Sequence, residues 1–244
     1  MQQSAQALEY AKIRYKTQDL AQDSTLEIPL SAQTVMLATG ILQQLDSLEV
    51  EQLIRFVNEG NSLIIPRPVW DEKLMFLQGI RPDAVFEGDT TASGFHFRQE
   101  VFPDFQGPAD TLHTESPHLG LSGSVFKNEV SVIATAVNAG RYPVMVRNDV
   151  GRGSVYVYNS YMFNQRRFRG LLFSNLLGTL PGVPYEVGSL STIFLDDFPE
   201  PVYNEKMEPV TTEYDITQAD FVYDIWWPDM KSLADSLDIT YTAG

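Results

Sequence analysis

The sequence predicts an α/β protein in two parts: a doubly wound, flavodoxin-like, mostly parallel sheet with helices on both faces, then the first β-α-β step of a truncated (β/α) barrel. Three observations predict it. Helix and strand patterns alternate from the start of the chain to Ile65. Three β-type runs follow between Ser131 and Tyr158. A strand–helix–strand order then resumes after a segment rich in glycine and proline.

The first element is a helix, with Ala5, Leu8, Ala11 and Tyr15 at near-helical spacing and Ser4 placed to cap it. Thr34–Thr39 is a short buried strand ending at Gly40. Val50, Leu53, Ile54 and Val57 then make the apolar stripe of a second helix, with Ser47 as N-cap and Gly60 as its stop. Ser62–Ile65 follows as a strand, bounded by Pro66 and Pro68. A doubly wound fold opens with a strand, whereas this chain opens with a helix. The expectation is therefore an initial strand upstream of Met1, the alternative being a permuted or reduced sheet. Residues 80–130 carry scattered turn formers and all three histidines, His96, His113 and His118, and yield no clear pattern. Ser131–Thr135, Tyr142–Val146 and Ser154–Tyr158 read as strands, and a helix from Gln165 to Leu177 closes the unit.

Gly178–Leu190 reads as a linker. Beyond it come a strand at Ser191–Leu195, a long loop from Asp196 to Ala219, a helix at Asp220–Leu237 broken at Pro228, and a strand at Ile239–Thr242. One β-α-β step is far short of the ~250 residues of a complete barrel, so the second part is expected to be truncated.

Composition removes several functions. The chain has 32 acidic and 17 basic residues, a formal net charge of −15, which disfavours general nucleic-acid or anionic-membrane binding. Zero cysteines exclude disulfides, thiolate metal sites and a cysteine nucleophile. No apolar run approaches the ~20 residues of a membrane span, and the N-terminal residues lack the basic-then-apolar order of a signal peptide.

The strongest chemical signal is Phe194-Leu-Asp-Asp-Phe-Pro-Glu-Pro201, where an apolar strand runs straight into Asp196 and Asp197. Catalytic groups of barrel folds collect at carboxyl ends of strands. One carboxylate could ligate a metal while the other takes a proton from water, or the pair could simply open and cap a turn. Glu200 and Glu213 are further candidates for cleft carboxylates, against the commoner role of solvated loop acids. Tyr203, Tyr214, Phe221, Tyr223, Trp226 and Trp227 crowd the same region. Aromatic faces stack on sugar rings, while the i, i+4 spacing of Tyr223 and Trp227 also fits core packing. His113 and His118 around Glu115 read as exposed histidines of a proline-containing loop rather than metal ligands. Arg166, Arg167 and Arg169 read as surface charge rather than an anionic-sugar site.

Thr192–Pro201, with Trp226-Trp-Pro-Asp-Met230 and Ile239-Thr-Tyr-Thr242, resembles a bacterial family catalogued as domain-of-unknown-function family 2194. Its members resemble a glutamine-amidotransferase-like α/β domain followed by a polysaccharide-deacetylase-like barrel, and tend to be associated with exopolysaccharide production. The likeness assigns residues 1–187 to the first domain and 188–244 to the barrel opening. By resemblance, Asp196 is the general base and Asp197 a ligand of a divalent metal, zinc in the deacetylase pattern. That pattern also needs a His-x-x-x-His, and this sequence has no histidine after His118. The expected metal therefore belongs to a full-length protein and not to this stretch alone. A chain without cysteine also lacks the amidotransferase nucleophile, which leaves the first domain as a non-catalytic binding module.

The resemblance implies an extracytoplasmic carbohydrate-active protein whose partner is a polysaccharide or other glycan, with Glu200, Glu213 and Trp226 as substrate contacts. Two alternatives stay open. One is a glycoside hydrolase-like barrel using two separated carboxylates; the other is a non-catalytic glycan-binding or scaffold component.

Overall fold

Strands form here where β-branched and aromatic residues cluster, and helices where apolar residues recur every three to four positions. The computed structural model describes residues 2–23, 25–38, 40–85, 89–99, 111–119, 121, 125–137, 142–180, 193–195 and 201–243. The chain divides into two compact units, Met1–Val187 and Gly188–Gly244.

The first unit runs α1 (Gln2–Tyr10), β1 (Thr34–Met36), α2 (Ser47–Asn58), β2 (Ser62–Ile65), α3 (Glu72–Gln78), β3 (Asp89–Phe97), β4 (Thr111–Leu119), β5 (Ser131–Ala136), β6 (Pro143–Val150), β7 (Gly153–Tyr158) and α4 (Arg169–Leu177). All seven strands join one sheet in the order β1-β2-β7-β6-β5-β3-β4. Alternation along the strands gives it two apolar faces. Leu63, Ile65, Val155 and Val157 pack into one buried cluster with Val50, Leu53 and Val57 of α2 and Leu74 and Leu77 of α3. Ile64, Tyr158, Phe95 and Phe97 fill the opposite cluster with Phe168, Leu172 and Leu176, and Leu8 of α1 packs at its margin. Helices therefore cover both faces, as the sequence predicts. Each fully buried Leu or Phe contributes roughly 1.5–3 kcal/mol by leaving water.

The expected mostly parallel sheet is found only in part. β1, β2 and β7 are parallel neighbours. From β7 onward every pairing is antiparallel. Five of the seven strands share one direction, yet the far side of the sheet is built from hairpins and antiparallel neighbours. Between β6 and β7 a tight turn imposes this, because parallel neighbours need a crossover of a dozen or more residues. Gly151 and Arg152 alone join β6 to β7, with Gly151 at φ +61°. Gly153 sits so close to the α2–β2 connection that a Cβ would lie 2.2 Å from the carbonyl oxygens of Asn61 and Val57.

Several boundaries move from their sequence positions. α2 is capped by Asp46 rather than Ser47. The Asp46 carboxylate accepts from the Glu49 amide (2.8 Å), and Glu49 accepts from the Asp46 amide (2.9 Å). The second Glu49 oxygen accepts from the Leu26 amide (2.8 Å), tying the preceding loop to the helix start. Ser4 lies inside α1 and is buried, so it is not the cap. The helix ends at Tyr10, before Lys12 turns to φ +58°, which leaves Tyr15 outside it. α3 has only seven residues between Asp71 and Gly79, too short for a clear period. Residues 80–130 hold β3 and β4, so His113 and His118 lie on a strand and not in a loop.

The second unit contains β8 (Ile193–Leu195), α5 (Val210–Tyr214), α6 (Gln218–Phe221), α7 (Trp227–Leu237) and β9 (Tyr241–Ala243). β8 and β9 pair in parallel. α5 and the start of α6 fall within the segment expected as a loop. Pro228 does not break the helix. A π-helical turn at Val222–Trp226 joins α6 to α7, and the Trp227 amide donates to the Val222 carbonyl five residues back. Proline has no amide and its ring crowds the carbonyl four residues earlier, so a widened turn ahead of Pro228 lets the helix continue.

Candidate functional site

The β8–β9 pair sets the geometry of the candidate site. Ile193 is opposite Tyr241 and Leu195 opposite Ala243, so both carboxyl ends lie on one edge. In sequence, Asp196 and Asp197 follow Leu195 directly. Asp196, Asp197 and Glu200 themselves lie outside the described residues.

Glu213 sits on α5 and is exposed, its amide donating to the Pro209 carbonyl (3.1 Å). Trp226 ends the π-helical turn half-buried, its ring 6.0 Å from that of Trp227. Tyr223 is 80% exposed, so the core-packing reading fails for it. With Trp227, Pro228 and Lys231 it lines an open depression of about 620 Å³ along the helix. Thr217 caps α6 by accepting from the Asp220 amide (3.2 Å). The ammonium of Lys206 donates to Asp215 and holds that carboxyl below its ordinary range.

Among the described residues no three histidine, aspartate or glutamate side chains come together to hold a metal ion. Also among them, no helix is long and apolar enough to cross a membrane. The arginine cluster is largely engaged in structure. Arg169 donates to Gln3 (2.6 Å) and to Gln6 of α1 and lies over the Tyr10 ring. Arg167 donates to Gln165 (2.8 Å) and covers Phe168.

One contact in the first unit escapes sequence reading: the Arg67 guanidinium, just past β2, lies 4.9 Å over the Tyr161 ring, and no spacing announces the pair.

Comparison with known proteins gives a family and distant structural likenesses. Residues 1–244 match the family described as "Uncharacterised protein conserved in bacteria (DUF2194)", and the chain belongs to that family. No curated protein matches. Among solved structures, the exo-β-1,4-mannosidase Op5Man5 from Opitutaceae bacterium strain TAV5 is 17% identical with a TM-score of 0.47, over 73% of this chain and 30% of that one. The β-galactosidase from Bacillus circulans sp. alkalophilus is 16% identical with a TM-score of 0.35, over 60% and 21%. Cytoplasmic protein STM3548 from Salmonella typhimurium is 11% identical with a TM-score of 0.49, over 74% and 85%. The chain thus spans less than a third of either glycosidase, and likenesses at these scores assign it no activity.

Proposed function

We propose that this member of the family is part of a carbohydrate-directed hydrolase, acting on the N- or O-acetyl groups of a polysaccharide. In this reading Asp196 is the general base. The observation that carries it is the parallel β8–β9 pair, whose carboxyl edge is where the sequence continues from Leu195 into Asp196 and Asp197. In β/α units this edge is the one at which reacting groups converge on a common crevice.

Asp196 takes a proton from the attacking water as its oxygen adds to the acetyl carbon. It returns that proton to the leaving amine or hydroxyl of the sugar. Glu200, Glu213 and Trp226 contact the glycan through hydrogen bonds and ring stacking. Asp197 fits the ligand position of the deacetylase pattern, in which zinc would polarise the carbonyl. That pattern also uses a His-x-x-x-His, and the present sequence has no histidine after His118. A polysaccharide substrate goes with an extracytoplasmic location, which is part of the same proposal.

The test is acetate release from acetylated polysaccharides by the intact natural protein that carries this chain. Asp196→Asn is expected to lower the rate by at least ~100-fold, the usual worth of a general base, with an unchanged unfolding temperature. Folded Asp196→Asn and Asp197→Asn variants that keep full activity would overturn the assignment.

A further inference from the structure

The negative charge of the chain is not evenly spread. Gly188–Gly244 holds twelve acidic residues and two basic ones, a formal charge of −10 out of −15 for the whole sequence. A surface so acidic draws cations in over roughly a Debye length, ~8 Å at physiological ionic strength, and repels anions. The partner that suits this unit is positively charged.

One helical face gives that attraction a shape. The π-helical turn at Val222–Trp226 and α7 present Tyr223, Asp224, Trp227, Lys231 and Asp235 along the open depression of about 620 Å³. Tyr223, Trp227, Lys231 and Asp235 follow one another at four-residue steps, so they share one side of the helix. Tyr223 is 80% exposed, and Asp224, Lys231 and Asp235 are exposed as well. Tyrosine and tryptophan faces attract ammonium groups, and carboxylates add charge-assisted hydrogen bonds to the same group. Lys231 offsets one of the two negative charges, which leaves the depression acidic with aromatic walls. From Asp224 to Asp235 the helix rises roughly 16 Å, at about 1.5 Å per residue. An extended ligand with more than one ammonium meets both carboxylates, whereas a small single cation meets one.

We propose that this depression is a docking surface for a chain of amino sugars, with Tyr223 and Trp227 against the sugar rings and Asp224 and Asp235 on their ammonium groups. An amino sugar carries an apolar ring face and a cation side by side, which matches aromatic and acidic groups set along one helix face. The choice of a sugar amine over other cations rests on the hydrolase reading, because removing an N-acetyl group from a polysaccharide exposes such an amine. None of these four residues takes part in the reaction assigned to Asp196, so binding and hydrolysis are measured separately.

The experiment is calorimetry on the whole chain at pH 6, where sugar amines are protonated. The probes are a glucosamine tetramer, its fully N-acetylated counterpart and tetralysine. The glucosamine tetramer is expected to bind saturably at millimolar concentration or below, and at least about tenfold more tightly than either other probe. Asp224→Asn with Asp235→Asn is expected to weaken that binding by at least about tenfold, and Tyr223→Ala by several-fold. Lys231→Ala is expected to tighten it, since a competing cation is gone. All four positions are at the surface, so the fold is expected to survive each change. No binding of the glucosamine tetramer overturns the proposal, and so does binding that survives the aspartate and tyrosine substitutions unchanged. Equal affinity for the N-acetylated tetramer refutes the role of the ammonium, and equal affinity for tetralysine refutes the choice of a sugar. Acetate release by the natural protein is read apart from this. Binding without acetate release leaves the docking surface standing and removes the hydrolase reading, and acetate release without binding does the reverse.

Discussion

β2 and β8 are equally apolar strands with opposite fates. Leu63, Ile64 and Ile65 of β2 are 0%, 1% and 0% exposed, while Phe194 at the centre of β8 is 61% exposed. β2 has a parallel neighbour on each side and core clusters on both faces. β8 has the single described neighbour β9. Across the second unit, no described residue is buried, and Tyr203, Leu233 and Leu237 stand largely in the open. Apolar sequence is therefore enough to form a strand but not to bury it. Burial comes from layers above and below, which parallel sheets need on both faces.

Core truncation is the most direct way to break that comparison. Leu53→Ala removes a side chain with 0% exposure from the first unit and is expected to cost about 2–5 kcal/mol in urea unfolding of the chain. Leu233→Ala in the second unit, where the side chain is 47% exposed, is expected to stay within about 0.5 kcal/mol. Equal losses at the two positions would mean that the second unit has a core of its own after all.

A helix cap sharpens the same contrast at smaller scale. The Asp46 carboxylate meets the Glu49 amide, and Glu49 reaches both the Asp46 and Leu26 amides, so this cap also ties down a loop. Asp46→Ala is expected to cost about 1 kcal/mol by the same unfolding measurement. Thr217 caps the four-residue α6 through one bond to the Asp220 amide, with little packing behind it. Thr217→Ala should cost less than Asp46→Ala.

Legibility in the sequence follows the same physics. The Val50–Val57 stripe and the Ser62–Ile65 run are visible because burial on one or both faces constrains each residue type. The far half of the sheet is less visible. A bulge at Ala92/Gly94 interrupts the alternation of β3, and turn formers scattered through residues 80–130 blur the rest. The π-helical turn at Val222–Trp226 was hidden because proline inside a helical pattern ordinarily signals a stop. For the sites the contrast is sharper. The Asp196–Asp197 pair is a local signal that any reader of the sequence meets, whereas the stacking of Arg67 on Tyr161 exists only through the fold.

The smallest effect concerns a surface ion pair on the hairpin that joins β6 to β7. Arg147 donates twice to Asp149 (2.8 and 2.9 Å), and Ser154 donates to the same carboxylate (2.6 Å). The Arg147 hydrogen bonds hold the Asp149 carboxyl below its ordinary range, despite a partial desolvation that opposes them. A carboxyl with a depressed folded-state pKa stabilises the fold above its unfolded value, near 3.9, and loses that contribution as pH falls through the folded value. Stability measured between pH 6 and pH 2 should therefore decline on the acid side, and Asp149→Asn should remove part of that slope. Both side chains are about half exposed, so solvent screening keeps the difference at pH 6 below about 1 kcal/mol. A larger loss at neutral pH, with no change in the acid slope, would mean that Asp149 acts through the hairpin turn and Ser154 rather than through the charge of Arg147.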